Sequence, residues 1–162
     1  MLEKIQAKNN YFVGIISDTH GLLPQSVSKV FKNTDLIIHA GDIGNPDIIE
    51  ALEKIAPTRA VRGNMDMGQW ARQLRQNETI TINNQRLYVI HDIYKLNIRA
   101  QSDTYRVVIC GHTHRPQMEK QQGILYLNPG SAVQPRFGYP PSVALLEIKG
   151  EAIRARMIDL SS

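Results

Sequence analysis

The potential metal ligands of this 162-residue chain occur in a few short groups that lie far apart along the sequence. Asp18-Thr19-His20 lies near the beginning, and His112-Thr113-His114 lies much later in the chain. Between them lie Asp42, Asn64 and His91, so four of the five histidines belong to the set. Carboxylate oxygens, amide oxygens and imidazole nitrogens are common ligands of divalent metals. The pattern therefore indicates a metal site assembled from distant parts of the chain.

The first part of the chain predicts a β-α-β-α-β unit. Short apolar runs at Tyr11–Ile16, Asp35–His39 and Thr58–Val61 are typical of buried strands. Pro24 and Pro46 suit the first turns of the two intervening helices. This order of elements implies parallel strands joined by crossover helices.

The rest of the chain predicts further strands and little helix. A short helix is expected near Leu96–Ser102, and Met67–Gln76 is either a short helix or a loop. Asn83-Asn84 suits a tight hairpin turn, and Gly150 suits a second hairpin. The predicted strands are Glu78–Ile82, Arg86–Ile90, Tyr105–Cys110, Gly123–Leu127, Ser142–Ile148 and Ala152–Ile158. We therefore predict an α/β fold of two mixed sheets packed face to face with helices outside, with parallel pairing early and antiparallel pairing late.

Members of the metal-binding set follow the predicted strands directly. These residues are Asp18, Asp42, Asn64, His91 and His112. In open α/β sheets, ligand sites form beyond the carboxyl ends of the strands. Gly41, Gly63 and Gly111 precede three of these residues and permit a sharp turn there. One Asp-x-His or His-x-His pair is weak evidence, since a single histidine is usually a core or surface residue, but the strand-end position of the whole set favours a metal site.

The number and chemistry of the donors indicate two metal ions. The set holds seven oxygen and nitrogen donors, which are Asp18, His20, Asp42, Asn64, His91, His112 and His114. One zinc usually takes about four ligands, so this number suits two divalent ions that share a carboxylate. Such pairs lie about 3.5–4 Å apart and act on phosphorus centres. Mixed imidazole and carboxylate ligands favour Mn2+, with Fe, Ni, Zn or Co as alternatives, over calcium.

Taken in order along the chain, these residues resemble the motifs of the calcineurin-like metallophosphoesterase superfamily. The matching segments are Asp18-x-His20, Gly41-Asp42, Gly63-Asn64-x-Asp66, His91 and Gly111-His112-x-His114. The chain length and Asn128-Pro129-Gly130-Ser131 are similar to the small bacterial and archaeal phosphodiesterase branch. The resemblance extends from Tyr11 to about Ile148, and it implies a four-layer α/β/β/α sandwich.

The resemblance also implies a role for each donor. The implied ligands are Asp18, His20 and His114 for one metal, Asn64, His91 and His112 for the other, and Asp42 for both. A hydroxide shared between the two metals would attack the phosphorus, because metal binding brings the pKa of water near neutrality.

The chain departs from the family pattern in the residues that handle the leaving group. Met65 stands where many phosphatases of the superfamily have a histidine that protonates the leaving group. Asp66 or a metal-bound water could replace that histidine, so Asp66 joins Asp42 and Asn64 as a candidate catalytic residue. Loss of the histidine favours diesters, or esters with good leaving groups, over unactivated monoesters.

Four further residues have two interpretations each. Ile90 and Asp92 stand where the branch usually has glycine, and they could narrow the site or orient an imidazole. His39 either supports the site by hydrogen bonding or is an ordinary core histidine. Arg136 either contacts a phosphate oxygen of the substrate or is a surface arginine.

Composition limits the partners of the chain. The net charge of +4 comes from scattered lysines and arginines, without the dense basic run typical of nucleic-acid binding. A small phosphoester substrate is therefore favoured over nucleic acid. The sequence has no apolar run of membrane-spanning length, residues 1–10 are a short polar arm rather than a signal peptide, and a cytoplasmic location is expected. Residues 1–162 are expected to form one domain, and a homo-oligomer is left open.

These observations predict a binuclear metal-dependent phosphodiesterase. The alternatives are a phosphomonoesterase and a protein-binding scaffold of the same fold, since the superfamily includes a retromer subunit that is a scaffold. A scaffold is free to lose metal ligands, whereas this chain keeps all seven. That completeness favours an enzyme.

Overall fold

The computed structural model describes residues 9–96 and 105–161. In these ranges the backbone forms ten strands, three short α-helices and a 3-10 helix at Ile93–Lys95. Strands β1 to β5 are Asn10–Ile16, Leu36–His39, Thr58–Ala60, Asn77–Ile82 and Gln85–Ile90. Strands β6 to β10 are Tyr105–Ile109, Gln117–Gln121, Ile124–Asn128, Ser142–Lys149 and Ala152–Asp159. Helices α1 to α3 are Ser26–Val30, Pro46–Glu53 and Gln69–Arg72.

The strands form two mixed five-stranded sheets, with the orders β10-β9-β1-β2-β3 and β4-β5-β6-β8-β7. In the first sheet β1, β2 and β3 are parallel, while β9 and β10 run antiparallel to their neighbours. In the second sheet β5, β6 and β8 are parallel, with β4 and β7 antiparallel at the edges. The prediction of antiparallel pairing in the later part of the chain was therefore wrong for β5, β6 and β8, because β7 occupies the edge and β8 returns beside β6.

The main core lies between the two sheets. Alternate residues of the central strands point into it, among them Val13 and Ile15 of β1 and Leu87 and Val89 of β5, each at most 1% exposed. Leu146 of β9 belongs to the same cluster. Removal of these apolar faces from water is the main favourable contribution to folding.

Helices cover the outer face of the first sheet. Val27 and Phe31 near α1 and Leu52 of α2 pack in a second cluster of buried residues. On the outer face of the second sheet, Ile93 and Leu96 pack against a third cluster. This order of layers agrees with the predicted α/β/β/α sandwich, and the predicted fold class is confirmed.

Local sequence signals account for most element boundaries. Helix α2 begins at Pro46, and the side chain of Asn45 accepts the backbone N–H of Asp47 at 2.9 Å. Asn83 and Asn84 have φ values of 49° and 66°, as a tight hairpin turn requires. Strand β7 was not predicted, because all five of its residues are exposed and show no apolar alternation.

Three further observations concern other parts of the chain. Cys110 is 6% exposed, and burial raises the pKa of its thiol to about 12, so it is an unreactive buried side chain. The predicted helix near Leu96–Ser102 and most of the N-terminal arm lie outside the described residues. No helix among the described residues is long and apolar enough to cross a bilayer.

Substitution of Leu146 by alanine tests the position of the core. Because Leu146 is fully buried between the sheets, Leu146→Ala should lower the free energy of unfolding by about 2–5 kcal/mol. Leu22→Ala is the matched control, since Leu22 is 62% exposed and its loss should cost less than about 0.5 kcal/mol. Urea unfolding followed by circular dichroism measures both, and equal losses would contradict the assignment of Leu146 to the core.

Candidate metal centre

The ends of five strands bring the predicted donors to one rim of the molecule. Asp18 and His20 follow β1, Asp42 follows β2, and Asn64 lies in the loop after β3. His91 follows β5 directly, and the two remaining histidines lie in the loop after β6. Parallel strands end at the same edge of their sheet. The rim therefore collects donors from both sheets.

Asp18, His20 and His114 form the first group of donors. Asp18 Oδ1 lies 3.3 Å from His114 Nε2 and 3.8 Å from His20 Nε2. The two Nε2 atoms are 3.2 Å apart. One ligand atom of each residue lies within 4.8 Å of the others, which is close enough for all three to contact one ion.

Asp42, Asn64, His91 and His112 form the second group. Asp42 Oδ2 lies 3.3 Å from His91 Nε2. Asn64 Oδ1 lies 3.0 Å from His91 Nε2 and 3.1 Å from His112 Nδ1. The sequence prediction assigns Asn64, His91 and His112 to this second ion and makes Asp42 a ligand of both ions.

Two carboxylates lie between the groups. Asp18 Oδ1 is 3.9 Å from His91 Nε2, and Asp18 belongs to both clusters of possible ligands. Asp42 Oδ2 is 4.0 Å from His20 Nε2. Asp42 is thus within reach of donors from both groups, as a bridging ligand must be, and Asp18 is a second residue in a similar position.

Backbone carbonyls fix the orientation of two imidazoles. His91 Nδ1 donates to the carbonyl of Ala40 at 2.7 Å, and His114 Nδ1 donates to that of Gln134 at 2.5 Å. In a neutral imidazole the other nitrogen, Nε2, is then an acceptor. Both Nε2 atoms face carboxylate oxygens, so acceptor faces acceptor unless a proton or a cation lies between them.

The raised pKa values of His91 and His114 show that positive charge is favoured beside the two carboxylates. Burial disfavours protonated His91, but its hydrogen bond with Asp42 and the charges of Asp18 and Asp42 outweigh burial and raise the pKa of His91. The hydrogen bond with Asp18 raises the pKa of His114. Asp18 Oδ1 is buried without a hydrogen-bond partner of good geometry. These residues fit divalent cations, which would satisfy the carboxylates and the imidazoles together.

Backbone strain is concentrated at the same rim. Among the described residues, nine other than glycine have positive φ. Five of these nine are predicted metal ligands, which are Asp18, His20, Asp42, His112 and His114. Each such residue costs free energy relative to ordinary backbone, and such strain collects at functional sites. The positive φ values therefore turn the loops so that the predicted ligands face one centre.

Hydrogen bonds hold each carboxylate by one oxygen. Asp18 Oδ2 accepts from Ser17 Oγ at 2.6 Å and from the backbone N–H of His112 at 3.0 Å. Asp42 Oδ1 accepts from the backbone N–H of Met65 at 2.8 Å. In both residues this leaves the other oxygen, Asp18 Oδ1 or Asp42 Oδ2, facing the imidazoles.

Two glycines allow the loops to approach so closely. A Cβ atom at Gly63 would collide with the backbone N and Oδ1 of Asp42. A Cβ atom at Gly111 would collide with Oγ of Ser17 and come within 2.7 Å of Asp18 Oδ2. The glycines that precede Asn64 and His112 are therefore required for space rather than for unusual φ values.

His39 lies behind the rim. Its Nδ1 accepts the backbone N–H of Gly41 at 3.1 Å, so its Nε2 donates to Thr19 Oγ1, 3.0 Å away. Thr19 Oγ1 in turn donates to the carbonyl of Ile43 at 2.8 Å. Burial lowers the pKa of His39 to about 3. His39 is thus a neutral residue that joins two ligand-bearing loops, which is the supporting role considered from the sequence.

Asp66 and Arg136 have different surroundings. Asp66 is 1% exposed, so it is not a solvated loop residue. Its Oδ2 accepts the backbone N–H of Gly63 at 2.8 Å, and its Oδ1 accepts those of Ile43 and Gly44 at 2.8 and 3.1 Å. Arg136 is exposed, and its charge acts on the pKa of His114, which places it near the first group.

Two polar residues of the 128–131 turn support the site. Asn128 Nδ2 donates to the carbonyl of Gly111 at 3.0 Å and to Thr113 Oγ1 at 3.1 Å. Ser131 Oγ donates to the carbonyl of Asp18 at 2.8 Å. In the sequence this turn contributed only to the family resemblance, which assigned no task to Ser131 or to Ser17. The sequence signal that could have identified them is their position, since Ser17 directly precedes Asp18 and Ser131 ends the 128–131 turn.

Comparison with known proteins identifies the family. Residues 12–151 match the model of the calcineurin-like phosphoesterase superfamily domain. The chain belongs to this superfamily. Its relatives include a probable metallophosphoesterase of Methanothermobacter thermautotrophicus, which is 35% identical over 158 residues, covering 90% of this chain and 91% of that protein. The membership that the motifs indicated is confirmed.

Two more similarities bear on function and fold. A phosphodiesterase of Methanocaldococcus jannaschii is 26% identical over 165 residues, covering 91% of this chain and 99% of that protein. The crystal structure of wild-type Vps29 from Entamoeba histolytica, complexed with zinc, superposes with a TM-score of 0.74 at 22% identity. This superposition covers 93% of this chain and 99% of that one, and it shows a shared fold.

Metal binding should weaken as the pH falls. Protons compete for His91 and His114, whose pKa values lie above the ordinary 6.5 in the metal-free protein. Below these pKa values we expect the apparent dissociation constant for Mn2+ to rise about tenfold per pH unit for each proton displaced. Titration calorimetry of chelator-treated protein between about pH 6 and pH 8 measures this, and pH-independent affinity would contradict it.

Asp66→Asn should lower stability. Asparagine would turn an NH2 group towards backbone N–H donors that now share a carboxylate. We expect the free energy of unfolding to fall by about 1–3 kcal/mol in metal-free protein. Asp47→Asn is a matched control at an exposed position. If Asp66→Asn lowered only the catalytic rate and left unfolding unchanged, Asp66 would be a proton donor rather than a structural residue.

Proposed function

We propose that this chain is a metal-dependent phosphodiesterase that holds two divalent ions, with Mn2+ as the first candidate. The observation that carries the proposal is the pair of donor clusters, Asp18 with His20 and His114, and Asp18 with Asp42 and His91. Buried carboxylates and oriented imidazoles at this density are costly without bound cations. Membership of a phosphoesterase superfamily supports a phosphate ester as the substrate.

The chain's own residues hold and orient the reaction centre. Asp18, His20 and His114 would ligate one ion, Asn64, His91 and His112 the other, and Asp42 both. When bound, such ions supply a nucleophile near neutral pH and stabilise charge on the phosphate. The carbonyls of Ala40 and Gln134 keep two imidazoles in the ligating tautomer.

The residues beside Asn64 favour esters with stable leaving groups. Met65 is 60% exposed at the rim and has no proton to give. Asp66 already accepts hydrogen bonds from three backbone N–H groups. Because these bonds favour the ionised carboxylate, Asp66 is a poor proton donor. The protein therefore offers little general-acid catalysis at this position, and diesters or aryl esters are better substrates than alkyl monoesters.

The side chains around the rim and the scattered basic residues are consistent with a small substrate. Several exposed apolar side chains lie within a few residues of the ligands along the chain, among them Leu22, Met65 and Met67. Lysines and arginines do not form a continuous basic groove in the sequence. A small phosphoester therefore remains the proposed substrate, a cytoplasmic location remains a prediction, and a homo-oligomer remains open.

A protein-binding scaffold is the second candidate. The observation that favours it is the structural similarity to Vps29, whose described form binds zinc. The donor set of this chain argues for catalysis instead, because the sequence keeps all seven donors and directed hydrogen bonds orient several of them. A scaffold would bind metal without hydrolysing any ester, so activity separates the two.

Asp42→Asn should abolish most of the activity. Asparagine keeps the shape but removes the charge placed between the two groups of donors. With added Mn2+ and an aryl phosphodiester, we expect kcat/KM to fall by more than about a hundredfold. The metal content measured by mass spectrometry should fall as well.

Asp47→Asn provides the control for that measurement. Asp47 is exposed in the first turn of α2, and none of the contacts within the described residues joins it to the rim donors. The activity of the Asp47→Asn protein should therefore match that of the unmodified chain. Equal activity of the unmodified and Asp42→Asn proteins would overturn the proposed function. Full metal loading of the unmodified chain without hydrolysis of any ester would favour the scaffold.

A further inference from the structure

A cleft adjoins the second group of donors and is not used by the proposed chemistry. Its volume is about 360 Å3, and Asn64 and His91 form part of its wall. The rest of the wall comes from the loop after β3, the start of β4, and the segment after β5. The cleft is thus continuous with the proposed reaction centre but extends away from it.

The cleft carries two cationic side chains, Arg62 and Lys95. The Nε atom of Arg62 donates to the carbonyl of Asp66 at 3.2 Å, which anchors the guanidinium at the wall. Within the described ranges, neither cation forms an ion pair with a carboxylate. Two cations that line one cleft repel each other, and an anionic ligand would relieve this repulsion.

The acidic residue of the cleft faces elsewhere. Asp92 Oδ1 accepts the backbone N–H of Tyr94 at 3.0 Å, and its Oδ2 lies 3.9 Å from His112 Nε2. Its charge is therefore directed at the metal-binding histidines and at the start of the 3-10 helix. The cleft beyond it keeps an excess of positive charge.

Amide side chains complete the polar wall. Gln76 and Asn77 line the cleft at the start of β4, opposite Ile90 of β5. The backbone N–H of Arg62 donates to the carbonyl of Arg75 at 2.8 Å, which fixes the loop after β3 against this segment. Amide N–H groups and two cations are the donors that bind phosphate or carboxylate oxygens.

A second cleft elsewhere on the molecule also carries cationic side chains but does not adjoin the rim donors. It has a volume of about 510 Å3 and is lined near the edge strands β7 and β10. It includes Glu119 and Glu151 beside Arg106, Lys120 and Arg154, so it too has one more positive than negative side chain. Its wall contains none of the rim donors.

We propose that the cleft beside Asn64 and His91 binds a second anionic group of the substrate, a phosphate or a carboxylate carried on one ester arm. The preferred substrate is then a phosphodiester with an additional negative charge, rather than a diester with two neutral arms. This inference rests on the proposed function, because it assumes that the scissile phosphate lies at the rim.

Binding measurements test the inference independently of hydrolysis. The probes are propyl phosphate, 2-carboxyethyl phosphate and propane-1,3-diyl bisphosphate, titrated by calorimetry into Mn2+-loaded protein. The measured quantity is the affinity of each probe that carries a second anionic group, divided by the affinity of propyl phosphate. We expect a ratio of about ten or more in the unmodified chain, as one or two charge-assisted hydrogen bonds would give.

Variants of the cleft should remove this preference. Lys95→Gln and Arg62→Gln should each lower the ratio by about tenfold. Lys120→Gln, an exposed lysine on β7, should leave it unchanged and controls for the general effect of charge. A larger loss for the bisphosphate than for the carboxylate would assign the cleft to phosphate, and the reverse would assign it to carboxylate.

The outcomes distinguish failure of the proposed anion subsite from failure of the proposed phosphodiesterase activity. A ratio near one in the unmodified chain, or a ratio that neither cleft variant lowers, overturns the proposed subsite while leaving hydrolysis of simple diesters untouched. Absence of hydrolysis of every diester, together with an intact ratio and intact effects of the variants, supports the anion site and overturns the phosphodiesterase.

Discussion

The rim is organised by the burial of two carboxylates, Asp18 and Asp42, close to several imidazoles. Asp18 is fully buried and Asp42 is 3% exposed. Buried negative charges are costly unless they are paired or bound to a cation. One oxygen of each carboxylate is satisfied by hydrogen-bond donors of the protein, and the other is turned towards the imidazoles. The protein therefore satisfies one oxygen of each carboxylate with hydrogen bonds and leaves the other oxygen available to a cation or a proton.

The surrounding loops follow from this arrangement. Positive φ at five ligand positions and the lack of Cβ atoms at Gly63 and Gly111 let the chain turn sharply enough to reach a common centre. His39 and Asp66 then hold the loops in place through backbone N–H groups, although neither faces the centre. The cost of the strained backbone is offset by the rigid double sheet, whose core lies directly beneath the rim.

The donors could be predicted from sequence because their positions depend on local patterns. A short apolar run that ends in glycine and a polar residue identifies a strand end, and parallel strands bring such ends together. The roles of Asp66 and Ser131 could not be predicted, because they depend on where backbone N–H and C=O groups of distant loops point. Strand β7 could not be predicted either, since an exposed edge strand needs no apolar periodicity.

The origin of the donors in two different sheets has a mechanical consequence. Asp18 and Asp42 extend from the first sheet, whereas His91 and His114 extend from the second. A cation bound among them would cross-link the two sheets at this edge of the sandwich. Occupancy of the site would therefore stabilise the whole domain, and this stabilisation would grow with the logarithm of the free metal concentration above its dissociation constant.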